Sequence, residues 1–420
     1  MRTSLQTKCC IAGGGPAGMV LGFLLARMGV DTVVLEKHAD FLRDFRGDTI
    51  HPSTLQIIDE LGLLEEFLAR PHQKILDITA QIGNHSVTFA DFRHLSTYTK
   101  FLVLMPQWDF LDFIKEHASR YPSFRLMMNT EVDDLVIEKG IVTGALANTR
   151  AGSLEVRAAL IVGADGRHSV VRHKAKLQVA NLGAPMDVLW MKLSRRPDDP
   201  QRTFGHADKG KMLILLNRDK YWQCAFVIPK GGADKVKLQG LPLFRAAIVE
   251  LAPFLRDRVY ELRDWNHVSV LTVAVDRLSQ WSRPGLLCIG DAAHAMSPIG
   301  GVGINLAIQD AVATANLLGP TLLQGLPSPR QLRAVQRRRL FPTRATQALQ
   351  IAIQNRAVRK VLDSRQHLQL PLFFKLLDTF PILRRIPARL IGVGFRPEHV
   401  RTAAVLPPKP LYRTQAAGRL

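Results

Sequence analysis

Read by period, the chain opens on a short apolar run, Cys9 to Ala12, broken at once by Gly13-Gly14-Gly15-Pro16-Ala17-Gly18. A helical run from Met19 to Met28 follows, then a second apolar strand, Thr32 to Leu35, ending at Glu36. The pattern is strand, glycine turn, helix, strand, acid. Beyond it, Leu55, Ile57, Ile58, Leu61, Leu64 and Phe67 recur at helical spacing. Ser53 or Thr54 is the expected N-cap of that helix, with Pro52 stopping what precedes it and a break near Gly62. From Lys74 to Phe92 the period changes to two, with Gly83-Asn84 between the runs, which predicts a β-hairpin.

A further helix is expected over Asp109–Tyr121, and short strands over 124–135, 136–146 and 154–159. These feed the apolar run Leu160 to Val162, which enters Gly163-Ala164-Asp165-Gly166. Residues 185–275 read as strands with one helix near Phe244–Ala252. Leu286 to Ile289 then leads into Gly290-Asp291, and a long helix is expected from Ile304 to Leu318. From Ser328 to about Ala388 the pattern is helical, with breaks expected at Pro342, Pro371 and Pro381.

Composition narrows this. With 47% hydrophobic and 22% charged residues in 420, the chain is globular, with a large core. No apolar run reaches the roughly 18 residues of a membrane span, and no secretory pattern precedes the first strand, so a cytoplasmic location is expected. Cys9, Cys10, Cys224 and Cys288 lie in apolar strands and are expected buried and reduced, with no metal site. The net charge of +20 is uneven: between Arg330 and Arg401, fourteen arginines and two lysines face three acids, a balance of +13. No nucleic-acid-binding pattern accompanies that charge.

The chemistry lies at three strand ends. Gly13 permits a tight turn, Gly15 lets backbone approach a pyrophosphate, and Gly18 lets the helix pack on the strand. The helix N-terminus offers its free N–H groups and positive dipole end to the phosphates. Glu36 stands where an acid accepts hydrogen bonds from a ribose. Asp165 and Asp291 each follow an apolar strand beside small residues, and strand ends are where α/β folds bind ligands. After Asp291 come Ala292-Ala293-His294, then Pro298, Gly300, Gly301, Gly303 and Asn305, a glycine loop opening a helix.

Through Gly13-x-Gly15-x-x-Gly18 with Glu36, Gly163-Ala164-Asp165-Gly166, and Gly290-Asp291-Ala292-Ala293-His294 with Pro298 and Gly303-x-Asn305, the chain resembles the single-component, para-hydroxybenzoate hydroxylase-like flavoprotein monooxygenases. The resemblance covers about residues 7–325. It implies an α/β fold in which a Rossmann-like FAD-binding domain (1–73, 101–180 and 276–327) interlocks with a β-sheet substrate domain (74–100 and 181–275). A basic helical segment (328–401) and a loose tail (402–420) complete the chain.

Carried over by position, Gly13, Gly15, Pro16, Ala17, Gly18, Glu36 and Lys37 would hold the ADP half of FAD. Asp165 resembles the acid of the family's middle motif, linked to both FAD pyrophosphate and NAD(P)H binding, and in the Gly290-Asp291 motif, counted with the cofactor-binding residues, Asp291 would hold the ribityl chain. The backbone of Gly301, Val302, Gly303, Ile304 and Asn305 would hold the flavin ring, with Arg46 and Gln107 adding polar contacts. Pro298 would line the flavin's reactive face, and His51, near the Arg46 loop, is a candidate catalytic group; His294 is expected to be structural. The implied chemistry uses NADPH or NADH, FAD and O₂: oxygen adds at flavin C4a, and the hydroperoxide hydroxylates or epoxidises an aromatic, quinone-like or polyketide-like molecule.

Substrate contacts are not in the motifs. His206, Tyr221, Trp222 and Trp190 are candidates, with a core or surface role the expectation for each. Two alternatives share the fold, a reductase of isoprenoid double bonds and a non-catalytic flavin-binding redox module; a flavin halogenase is disfavoured by the lack of a Trp-x-Trp-x-Ile-Pro run. The stretch Leu368–Val393 mixes apolar side chains with Lys375, Arg384, Arg385 and Arg389, which suits either a helical cap or peripheral contact with an anionic membrane.

Overall fold

The computed structural model describes residues 3–42 and 49–405. Its organising unit is the strand β1 (Thr3–Ala12), the helix α1 (Pro16–Arg27) and the strand β2 (Thr32–Leu35). All four residues of β2 and the last four of β1 are buried, as a parallel strand covered on both faces requires. The parallel sheet runs in the order Leu286–Cys288, Gly152–Gly163, β1, β2, Phe124–Met127, with antiparallel strands added through Ile141–Thr149 and Ser282–Arg283. The strand expected at 286–289 therefore returns to the first sheet. All four cysteines are free and buried. Cys9 and Cys10 are both enclosed although they face opposite ways, because both sides of the sheet are covered.

A second sheet has seven strands in the order Ser269–Leu271, Met186–Ser194, Tyr221–Pro229, Lys211–Asn217, Phe204–Asp208, Asp77–Ile82, His85–Asp91. The hairpin expected from period-two alternation is its edge, joined in parallel to Phe204–Asp208 across more than a hundred residues.

Several boundaries differ from expectation. Pro52 begins its helix (Pro52–Glu60) and His51 is the N-cap, since a proline at the first position loses no hydrogen bond. Glu131–Glu138 is one strand across Leu135 and Val136; its turn falls at Lys139 and Gly140, both in left-handed backbone. The strand expected to reach Val275 ends at Leu271.

Pro342 does not break its helix, which runs from Pro329 to Ile353. Burial of Leu332, Val335, Gln347 and Gln350 along that helix outweighs the about 3 kcal/mol that an interior proline costs. Residues 402–405, expected to be loose, are docked: Arg27 donates to the Thr402 carbonyl, and Val405 N–H to Arg27 O at 3.1 Å. The rest of the tail lies outside the described residues.

Among the described residues, no helix is long and apolar enough to cross a membrane. The basic segment continues through Leu372–Thr379 and Arg385–Gly392, which bury Leu377 and Ala388 and leave Leu372, Phe373, Leu376 and Ile386 exposed, as are Phe380 and Ile382 between them.

Candidate active site

At the carboxyl ends of the parallel strands the chain closes tightly on itself. Gly13 has φ of +103°, and a Cβ there would stand 2.4 Å from the Ala164 carbonyl oxygen. A Cβ on Gly18 would stand 2.0 Å from Gly13 O, so α1 can approach β1 only through glycine. Gly15 is the N-cap of α1 in extended backbone, with no side-chain cap, and a Cβ there would meet nothing within 4 Å. An uncapped helix N-terminus faces open space, the arrangement a phosphate needs.

Glu36 stands beside it. Its carboxylate accepts from Gly14 N–H at 2.9 Å, His38 N–H at 3.1 Å and His38 Nδ1 at 2.5 Å. Lys37 instead points to Glu131, 3.8 Å away on the surface.

The other two motifs converge here. Ala164 N–H donates to Ala12 O, placing Asp165 next to Gly13. The Asp165 carboxylate accepts from Ser169 Oγ at 2.5 Å and Val171 N–H at 3.1 Å, ordering the short helix Val170–Lys174. Burial raises its pKa, only partly offset by these bonds. Gly290, with φ of +58°, is wedged where a Cβ would come within 3.2 Å of Ala17 and 3.1 Å of Ala307. Asp291 lies half-exposed, 3.9 Å from Arg167.

The loop beyond turns through left-handed Gly300 and Gly301 into the helix Gly303–Gln324, with Pro298 as the N-cap of the turn and Val302 as the N-cap of the helix. Asn305 fastens it. Its Oδ1 accepts from His51 N–H (2.9 Å) and Thr54 Oγ1 (2.8 Å), and its Nδ2 donates to the carbonyls of Thr49 (3.0 Å) and Gly301 (3.2 Å). With its amide thus used, Asn305 shapes the loop, whose Gly301 N–H in turn donates to the Pro298 carbonyl at 3.1 Å.

His51 is 1% exposed and enclosed by protein. Its Nδ1 donates to Ile391 O at 2.7 Å, and burial pushes its pKa down to about 4. Its Nε2 lies 3.6 Å from where a Cβ on Gly301 would stand, against the glycine loop, and is buried without a hydrogen-bond partner. Gln107 begins the helix Gln107–Ala118, half-buried. Arg46 lies outside the described residues.

Sequence reasoning missed what anchors this loop from below. Asp310, fully buried in the helix Gly303–Gln324, accepts from His294 Nε2 (2.6 Å), Arg339 Nε (2.9 Å) and Gly290 N–H (3.1 Å). Burial alone would raise its carboxyl, but His294 and Arg339 hold it below the ordinary value. His294 is thus structural. The polar pair Gln309-Asp310 inside an apolar helix was the available signal.

On the second sheet, Trp222 is buried and donates to Asp199 at 2.8 Å, His206 donates to Leu251 O, and Tyr221 lies under Lys192. Trp222 and His206 serve the outer core, where Phe204, Phe226 and Phe244 pack. Trp190 belongs to the opposite face, with Val188 and Ala225.

The family described as FAD binding domain matches residues 6–349. A curated relative, 6-methylpretetramide 4-monooxygenase of Streptomyces rimosus, is 33% identical over 348 residues, 82% of this chain and 83% of the relative. Among solved structures, p-nitrophenol 4-monooxygenase from Pseudomonas putida DLL-E4 superposes with a TM-score of 0.73 at 19% identity, covering 91% of this chain and 97% of that one. Anhydrotetracycline hydroxylase from Streptomyces rimosus gives 0.70 at 23%, covering 92% and 76%.

Proposed function

The chain belongs to the FAD binding domain family and is an FAD-dependent monooxygenase of the para-hydroxybenzoate hydroxylase type, and from that premise we propose that its substrate is an uncharged, fused-ring aromatic molecule of polyketide type. One observation carries this reading. Ile299, beside Pro298, packs among Met186, Met212, Ile214, Val227, Val358 and Leu362, an apolar wall between the second sheet and the glycine loop. The partly buried Met212, Ile214, Ile299 and Leu362 of that wall suit an apolar aromatic, whereas a carboxylated phenol loses hydration there without a paired charge. The activity on 6-methylpretetramide named for the relative from Streptomyces rimosus points the same way.

The residues fit the cofactor. The open, uncapped N-terminus of α1 at Gly15 to Gly18 would hold the pyrophosphate, Glu36 the adenosine ribose and Asp291 the ribityl chain. The backbone from Gly301 to Ile304 would bind the flavin ring, with Pro298 on its reactive side. When bound, FAD accepts a hydride from NAD(P)H and activates O₂ for transfer of one oxygen atom. The protein's part is to orient the ring against the substrate and exclude water from the apolar wall between them.

The test compares NAD(P)H oxidation, O₂ uptake and product mass with a planar tetracyclic phenol and with para-hydroxybenzoate. The tetracycle is expected to stimulate oxidation at least about tenfold more and to gain one oxygen atom. The opposite preference overturns the substrate assignment.

A second reading concerns location. The exposed side chains of Leu372, Phe373, Phe380, Ile382 and Ile386 stand beside Lys375, Arg385 and Arg389, the composition of an interfacial surface. We propose peripheral contact with anionic lipid through them. Sedimentation with anionic but not neutral vesicles is expected; binding to neither removes this reading.

A further inference from the structure

The helix Pro329–Ile353 runs on through a wide π turn, Gln354–Val358, into Arg359–Asp363. Gln347, Gln350, Gln354 and Val358 recur along it at steps of three and four, so they share one face, and all are buried. Three amides on one buried face need partners, and each donates its N–H groups into the segment that leads into the flavin-facing loop, while Gln354 Oε1 is buried without a partner.

Gln347 Nε2 donates to the carbonyls of Asp276 (2.7 Å) and Ala295 (3.0 Å). Gln350 Nε2 donates to those of Ser297 (3.0 Å) and Ile299 (2.9 Å), while its Oε1 accepts from Ser297 N–H (3.1 Å). Gln354 Nε2 donates to Ser297 Oγ (2.6 Å), which itself accepts from Ile299 N–H (3.3 Å). Pro298 lies between the two carbonyls that Gln350 grips, and it has no N–H with which to fix itself.

We infer that Gln350 and Gln354 are positioning residues that set the height and tilt of Pro298 over the flavin ring, and that the π turn connects this clamp to the substrate wall. π turns re-phase the side chains that follow them and recur at functional sites. Here the turn carries Gln354 at its start and Val358 at its end, and Val358 packs in the same wall as Ile299. A substrate resting on the partly buried members of that wall, Ile299 and Leu362 among them, therefore bears through Val358 on the rod that holds Pro298. The family match ends at residue 349, one residue before Gln350, so the clamp comes from outside the stretch that bears the flavin motifs.

This inference rests on the reading that the loop faces the flavin, and the test separates the two. FAD is titrated into the full-length apoprotein by flavin fluorescence, and the visible spectrum of the bound flavin is recorded. Wild type, Gln350→Leu, Ser297→Ala and, as a control one turn back, Gln347→Leu are compared.

Gln350→Leu leaves Ser297 N–H and two carbonyls without partners, and is expected to weaken FAD binding about tenfold and shift the flavin absorption maximum. Ser297→Ala removes a single hydroxyl and is expected to shift the spectrum in the same direction. Gln347→Leu is expected to lower thermal stability with the wild-type spectrum retained. Wild-type affinity and spectrum in both Gln350→Leu and Ser297→Ala overturn the inference. If Gln350→Leu does not fold, an unchanged spectrum in Ser297→Ala overturns it alone. Failure of the wild type to bind FAD overturns the site reading instead.

Discussion

Between Cys9 and Glu36 the cleft is built by neighbours in sequence, whereas from Gly290 to Asn305 it is held by residues far along the chain. In the first region the side-chain bond that shapes the turn, Gly14 to Glu36, spans 22 positions; the distant partners are sheet neighbours such as Ala164 and Met127, and the rest is glycine sterics and an open helix end. In the second, Asn305 reaches His51 across 254 positions, and Gln350 reaches Ser297 across 53. His51 is in turn tied to Ile391, 340 positions on. A local cradle forms with its own βαβ unit. A loop held by distant partners takes shape only when the whole chain has folded, so its shape reports on the state of the C-terminal helices.

The contrast can be broken first at Asp310. Asp310→Asn leaves Arg339 buried with one partner fewer and weakens the grip on His294 and Gly290, and removing one partner of a buried charged network costs about 4 kcal/mol. Urea unfolding measures it; a loss under about 1 kcal/mol means that the network does not anchor the loop.

The next test is pH. His51 is held neutral to about 4 in the folded chain against an ordinary 6.5, so between these values the unfolded state binds more protons. Stability is therefore full above about pH 6.5 and falls as pH drops toward 4, by about 2 kcal/mol between pH 7 and pH 5. His51→Gln should flatten that part of the profile; an unchanged slope shows that His51 is not the titrating group.

The smallest effect on the fold is expected in the local cradle. Glu36→Ala should weaken FAD binding about tenfold, roughly 1.4 kcal/mol, while changing unfolding free energy by less than about 1 kcal/mol. A large unfolding loss would make Glu36 a structural residue and blur the distinction between the two regions.

Much of the cradle was legible because its requirements are local. A Cβ at Gly18 collides with Gly13 whatever the rest of the chain does, and alternation along Asp77–Asp91 marks a strand pair wherever it docks. The role of Asn305 was only half legible. Its position in the loop pointed to flavin contact, yet its amide is spent on Thr49, His51, Thr54 and Gly301. His51 was read as a candidate reactive group from its position near the loop, and its burial and its bond to the Ile391 carbonyl, 340 positions on, are what no nearby residue announces.

The sequence by itself determined the βαβ cradle, the strand periods of both sheets and the family, because glycine sterics and hydrophobic periodicity act over a few residues. Only the tertiary structure decided which polar side chains clamp the flavin loop. Gln350 and Gln354 sit in a helical stretch rich in polar residues along its length, where no period separates a buried amide from a solvated one. Their partners are the backbone and hydroxyl of Ser297 and the carbonyl of Ile299, some 50 positions away, and a hydrogen bond of that kind exists only once packing has excluded water from both ends.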